Sequence, residues 1–286
     1  MLGLIDHGTS GTHHLKSENS ESTDTTYKVY FGLGHSLNLI HSPDVFKVSL
    51  AGVRLGNYLM QIQNNNSPKG GFLDVGTGSG VHALLMRMAG TCDIIATDVS
   101  EQSIEQARLH EHINFKTNSI SFLVSDLFNN LPQRQFQTIV FNPPGWRTPS
   151  HSLLKRLSML DQSGQIPLRS MFYGEEVVSR FLDDLPKYLA PGGTAIVGLN
   201  SLIGIYGLLD KYNKKHNESP PLTYRLVERH TFPLFYYSPH WKSISKHLKK
   251  EFDRWAKRDS AAYSIDNYGT IFWSYEIVEF RHKTKQ

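Results

Sequence analysis

The chain has 286 residues, 39% apolar and 20% charged, with a formal net charge of +4 and a pI near 9.0. That balance excludes wholesale disorder and allows a substantial core without metal or disulfide support. No run approaches the roughly 18 apolar residues that span a bilayer, the short apolar N-terminus lacks a basic leader, and the single cysteine, Cys92, forms no internal disulfide. The expectation is a cytoplasmic protein with no membrane partner and with Cys92 as a core side chain.

Residues 1–26 read as a flexible tail, because Ser, Thr, His, Gly and acidic residues leave almost nothing to bury. His7, His13 and His14 have no second cluster to complete a metal site, so no metal is expected. Residues 27–286 read as one domain. It comprises a helical cap to about residue 69, a core to about 215, and C-terminal strands and a helix from about 220. Ser42-Pro43-Asp44 resembles a helix start, with Val45, Leu50, Val53, Leu55, Tyr58 and Leu59 following at helical spacing. Residues 64–70 break that pattern and read as a loop.

Strand and helix signals then alternate. Strands are predicted over 72–75, 93–97, 120–124, 138–141 and 194–198. Helices are predicted over 81–88, 100–114, 175–189 and 201–214. Such alternation implies a doubly wound α/β fold with parallel strands and right-handed crossovers. Residues 224–235 and 270–281 alternate as strands around a charged helical segment at 241–257, which predicts an antiparallel C-terminal edge.

Asp74-Val-Gly76-Thr-Gly78-Ser-Gly80 lies between the first of these strands and its helix. Glycines there let the backbone approach a ligand, and the helix's first N–H groups face the same crevice at the carboxyl ends of the strands. The spacing departs from the G-x-G-x-x-G of dinucleotide binders. Asp98, ending the second strand, is placed to accept both hydroxyls of an adenosine ribose, and Asp126, after the third, to accept from an adenine amino group.

These elements, with Leu189-Ala-Pro-Gly-Gly193, resemble the class I S-adenosylmethionine (SAM)-dependent methyltransferases over about residues 70–200. The resemblance implies a Rossmann-like, mostly parallel seven-stranded sheet with an antiparallel last strand, and SAM as cofactor. Gly76, Gly78 and Gly80 would line its methionine and ribose, and Asp74, just before that turn, is a further cofactor-binding candidate.

Phe141-Asn142-Pro143-Pro144-Gly145-Trp146 follows the fourth strand. Its prolines fix the backbone so that the Asn142 amide and the Pro143 carbonyl can hold a substrate –NH₂ and aim its lone pair. The turn is similar to the Asn-Pro-Pro-aromatic motif of enzymes methylating nitrogens on planar groups, namely release-factor glutamine, adenine-N6 and guanine-N2 methyltransferases. Asn142 and Pro143 are therefore the catalytic candidates, with Asn142 also near the cofactor. Pro144, Trp146 and Arg147 are the substrate-binding candidates. Gly145 stands where that family has its stacking aromatic, so either Trp146 supplies the stacking face or the pocket accepts a different shape. The acceptor stays open between a protein glutamine, a nucleic-acid base and a small molecule. The alternatives are a small-molecule O- or N-methyltransferase, a nicotinamide-dependent oxidoreductase and a non-catalytic SAM-binding protein.

His82 is expected to face the interior rather than act as a base. The run Lys242, Lys246, Lys249, Lys250, Arg254, Lys257 and Arg258 reads first as a solvated face, with a phosphate-contacting surface as the alternative. Phe232, Phe235, Tyr236, Tyr237 and Trp241 read either as core or as the wall of a pocket.

Overall fold

The computed structural model describes residues 5–6, 26–32, 34–42, 44–65, 70–159, 171–234, 242–258 and 261–283. The expectations for His7, His13, His14, Pro43, Phe235, Tyr236, Tyr237 and Trp241 fall outside them, as does the loop expected over 66–69. The chain groups into two compact units, Met1–Asn142 and Pro143–Gln286.

The first unit opens on a hairpin, β2 (Thr26–Gly32) and β3 (His35–Ile40), where a helical cap is expected. The reason is a period of two: Tyr27, Val29 and Phe31 on one strand and Leu37 and Leu39 on the other are buried in turn. A two-residue strand, β1 (Ile5–Asp6), pairs antiparallel with β2 inside the span read as a tail. Helix α1 (Leu50–Asn65) begins later than Ser42 suggests. Its capping hydroxyl is Ser49, whose Oγ accepts from Gly52 N at 3.1 Å.

Four parallel strands follow: β4 (Phe72–Val75), β5 (Ile94–Asp98), β6 (Ser121–Val124) and β7 (Phe136–Phe141), in the spatial order β7-β4-β5-β6. Every residue of β4 is buried, as a central parallel strand covered on both faces must be. Helix α2 (Val81–Met88) packs on β4 and β5 and α3 (Glu101–Phe115) on β5 and β6, with Ala83, Leu84, Leu85, Ile104 and Ala107 buried. Because the strands are parallel, the turns after β4, β5, β6 and β7 leave the sheet at one edge. Cys92 is exposed rather than core, because it belongs to the turn before β5.

The second unit contains α4 (His151–Ser158), which the sequence reading missed, then α5 (Gly174–Tyr188) and β8 (Leu189–Asn200). A 3-10 turn, Ser201–Ile203, is separated from α6 (Ile205–Lys215) by Gly204 at φ +77°, where a single helix is expected. The unit closes with β9 (Leu222–Pro233), α7 (Ser245–Lys257), β10 (Ser264–Ile265) and β11 (Ile271–His282). Strand β11 pairs antiparallel with β8 on one side and β9 on the other, which supplies the antiparallel edge. The two-residue β10 is additional to the seven strands expected. Among the described residues no helix is long and apolar enough to cross a membrane.

Candidate active site

The turn after β4 is held by its own strand. Asp74 is 1% exposed; its Oδ2 accepts from Thr77 Oγ1 at 2.6 Å and from Ala83 N at 3.2 Å. Burial raises its carboxyl above the ordinary range, while His82, Thr77 and the Ala83 amide pull the other way. Thr77 N donates to Thr97 O at 2.8 Å, tying the turn to β5. Asp74 thus shapes the turn from beneath. Gly76, Gly78 and Gly80 have φ of +63°, +54° and +84°, a region that only glycine enters without strain.

Asp98 reaches the same turn from the end of β5. Its Oδ2 accepts from Gly78 N at 2.9 Å and its Oδ1 from Ser100 N at 2.9 Å, Ser100 being the N-cap of α3. Burial raises the Asp98 carboxyl, opposed by the Ser100, Gly78 and Val99 amides. A carboxylate offers about four lone-pair directions, so acceptor capacity remains for a ligand's hydroxyls. A Cβ built on Gly78 would meet nothing within 4 Å, which leaves open space beside this carboxylate. That combination fits an adenosine ribose. Ser125 N donates to Asp98 O at 2.8 Å and so joins the ends of β5 and β6, with half-buried Asp126 next in the chain.

His82 is 5% exposed, its Nε2 lying 2.9 Å from Gly52 O and its Nδ1 4.0 Å from Asp74 Oδ1; it links α1 to the turn rather than facing a substrate. His110 went unnoticed in the sequence. It is fully buried on α3, with Nδ1 2.8 Å from Ser79 O and Nε2 accepting from Ile40 N at 2.9 Å. It therefore ties the glycine-rich turn to the hairpin, and burial pushes its imidazole below the usual range. Asn142, half-buried just after β7, approaches α1, where a Cβ on Gly52 would lie 3.9 Å from its Nδ2.

In the second unit the rest of the Asn-Pro-Pro turn is clamped. Trp146 N donates to Met171 O at 2.9 Å and Gly174 N to Trp146 O at 2.8 Å. A Cβ on Gly174 would run into the Pro144 carbonyl. Trp146 does not offer the expected stacking face. It is 5% exposed, with its ring edge-on to Phe172 at 5.2 Å and to Phe252 at 5.4 Å. Arg147 is likewise engaged internally, Nη1 donating to Ile203 O at 3.0 Å and Nε standing 3.6 Å from Glu175 Oε1.

Gly145 has a local cause that the sequence hid. A Cβ there would lie 2.7 Å from Asn200 Nδ2 and 3.3 Å from Asn200 Cβ and Cγ. Asn200, ending β8, is 8% exposed and its Oδ1 accepts from Leu202 N at 2.9 Å, which orients the amide. The space beside residue 145 is filled by an amide from another strand. Among the described residues no group of His, Cys, Asp and Glu could hold a metal ion.

The fold is that of the class I SAM-dependent methyltransferases, and the protein is a SAM-dependent methyltransferase. Residues 37–164 match the methyltransferase small domain family, and SAM is the cofactor. A chain of Methanocaldococcus jannaschii named as a protein N5-glutamine methyltransferase is 27% identical over 57% of this chain and 75% of its own length. The release factor glutamine methyltransferase of Rhodopirellula baltica is 27% identical over 54% of this chain and 53% of its own. Among solved structures, the T. thermophilus 16S rRNA N2 G1207 methyltransferase, in complex with AdoMet and guanosine, superposes with a TM-score of 0.53 at 16% identity. That match covers 94% of this chain and 53% of the other, and it shows the fold.

Proposed function

We propose that this enzyme methylates the nitrogen of an –NH₂ group on a planar amide or base belonging to the machinery of translation. The observation that carries the reading is the Asn142-Pro143-Pro144 turn directly after β7, at the strand edge that also holds Asp98 and the glycine-rich turn. Asp98 takes the ribose hydroxyls, Asp126 the adenine amino group, and Gly76, Gly78 and Gly80 leave room for the rest, while Asp74 braces the turn. Bound SAM supplies a sulfonium methyl. Asn142 Oδ1 and the Pro143 carbonyl accept the two N–H bonds of the acceptor and fix its lone pair in line. Positive charge developing on that nitrogen during methyl transfer would strengthen both hydrogen bonds in the transition state. The nitrogen then loses a proton to water. The relatives named for release factors, ribosomal protein uL3 and tRNA adenine support an acceptor in translation.

Tritiated SAM incubated with cell extract fractionated into protein, nucleic acid and small molecules identifies the acceptor. On it, Asn142→Ala should lower turnover about 10²-fold with SAM affinity nearly unchanged, the scale of one lost positioning contact. Normal turnover, or a methyl found on oxygen or carbon, would end the nitrogen-gripping role.

A further inference from the structure

Helix α7 divides into two faces. Leu248, Glu251, Phe252 and Trp255 are buried, whereas Lys246, Lys249, Lys250, Arg254 and Lys257 are exposed. The buried acid does structural duty: Glu251 Oε1 accepts from Ser150 N at 2.9 Å and its Oε2 from Ser150 Oγ at 2.8 Å. Ser150 is the N-cap of α4, so the two helices are tied at that point, and α4 carries exposed Lys155 and Arg156 in its last turn. Arg156 and Lys250 both lie close enough to His247 to disfavour its protonated form, after the effect of burial.

The charges on this face are mostly uncompensated. Lys249 pairs with Asp253 at 3.4 Å and Arg254 with Glu251 at 3.1 Å. Lys257 also acts on the Asp253 carboxylate, whereas Lys155, Arg156, Lys246 and Lys250 have no carboxylate partner among the described residues. Elsewhere in the same unit, Lys187, Lys214 and Lys215 each meet an aspartate, at 2.7, 2.8 and 2.7 Å. A merely solvated face would interleave acids as those helices do. Lys246 and Lys257 stand about 16 Å apart along the axis at 1.5 Å per residue, a span of several phosphates on one strand. Among the described residues no Phe, Tyr or Trp of α4 or α7 is exposed, so these two helices offer no large aromatic ring on which an unpaired base could stack. The face matches a double helix, whose phosphates are outside and whose bases are stacked within.

We propose that the cationic face shared by α4 and α7 docks double-helical RNA through its phosphates. The choice of RNA rests on the reading above that the acceptor belongs to translation. The probe is a fluorescein-labelled RNA duplex of about 20 base pairs, followed by anisotropy between 50 and 200 mM KCl. With about five phosphates neutralised by Lys155, Arg156, Lys246, Lys250 and Lys257 together, affinity should fall roughly 500-fold across that range. The triple variant Lys246→Gln, Lys250→Gln, Lys257→Gln should bind at least tenfold more weakly at 50 mM, with a salt slope shallower by about 3. A pair on the other helix, Lys155→Gln with Arg156→Gln, should also bind more weakly, which guards against misfolding of α7. Changing the acid-paired Lys187, Lys214 and Lys215 to Gln should leave binding unaltered. Absence of binding at 50 mM, wild-type affinity in both the triple and the paired variant, or tighter binding of a DNA duplex or polyglutamate would overturn the proposal. SAM titration of the same variants keeps this separate from the methyltransferase reading: lost RNA binding with unchanged SAM affinity leaves that reading untouched.

Discussion

Replacing Gly145 tests whether Asn200 fills the place of the family's aromatic. In Gly145→Ala the new methyl would sit 2.7 Å from Asn200 Nδ2, too close for any real contact. Either the turn shifts, at an overpacking cost of about 1–3 kcal/mol, or the amide swings away. In the second case Leu202 N loses its 2.9 Å bond to Oδ1 inside the protein, at about 1–3 kcal/mol. Both routes give a loss near 2 kcal/mol, which for a chain of this size is a melting-temperature drop of about 3–4 °C. Asn200→Ala alone costs the cap of the 201–203 turn, about 1 kcal/mol. In the double variant the methyl has nothing to strike, so the two losses should fall short of adding by about 1 kcal/mol or more. Urea unfolding of the wild type, both singles and the double closes the cycle. Strictly additive losses would show that Asn200 does not occupy the space of a residue-145 side chain.

Asp98→Ala should weaken SAM binding about 30-fold, since a hydrogen bond to a charged group contributes about 2 kcal/mol. Calorimetric titration checks this, and affinity within twofold of wild type would displace the ribose from Asp98. The same titration with NAD should show no heat, and NAD binding without a response to SAM would refute the cofactor fit. His110 sets a pH dependence. Its folded pKa lies below the ordinary 6.5, so the unfolded chain binds the extra proton first. Its contribution is complete above about pH 6.5 and is lost as pH falls through the depressed folded value. Urea unfolding at pH 7.5 and 5.0 should show a smaller decline for His110→Gln than for wild type; equal declines would remove His110 as the cause.

The alternating core was legible because each element announces itself locally. Val81–Met88 is apolar between a glycine turn and a loop, and Ser100 caps its helix with its own hydroxyl at 3.2 Å from Ser103 N. The N-terminal region was not, since Ser42 and Ser49 both precede apolar periodic residues. The chain from Ser42 instead forms a turn, closed by Val45 N donating to Ser42 O at 3.4 Å, and buries Val45 and Val48 before the helix capped by Ser49 starts. Trp146 misled for a tertiary reason: the rings that bury it, Phe172 and Phe252, come from distant segments and leave no trace beside the motif.

The acids at the strand ends show how one residue type divides into different tasks. In sequence, Asp74, Asp98 and Asp126 look alike, each near the end of a parallel strand. Position relative to the pleat separates them. Asp74 is inside β4, so its carboxylate turns under the glycines and is consumed by Thr77 and the Ala83 amide. Asp98 is the last residue of β5, one step further out, and it meets the turn from the side at Gly78 N. Asp126 stands two residues beyond the end of β6 and is half-buried. A shift of one or two residues along a strand moves a carboxylate from brace to candidate ligand contact. Loss of Asp74 therefore strikes the shape of the turn first, whereas loss of Asp98 strikes what the turn can hold.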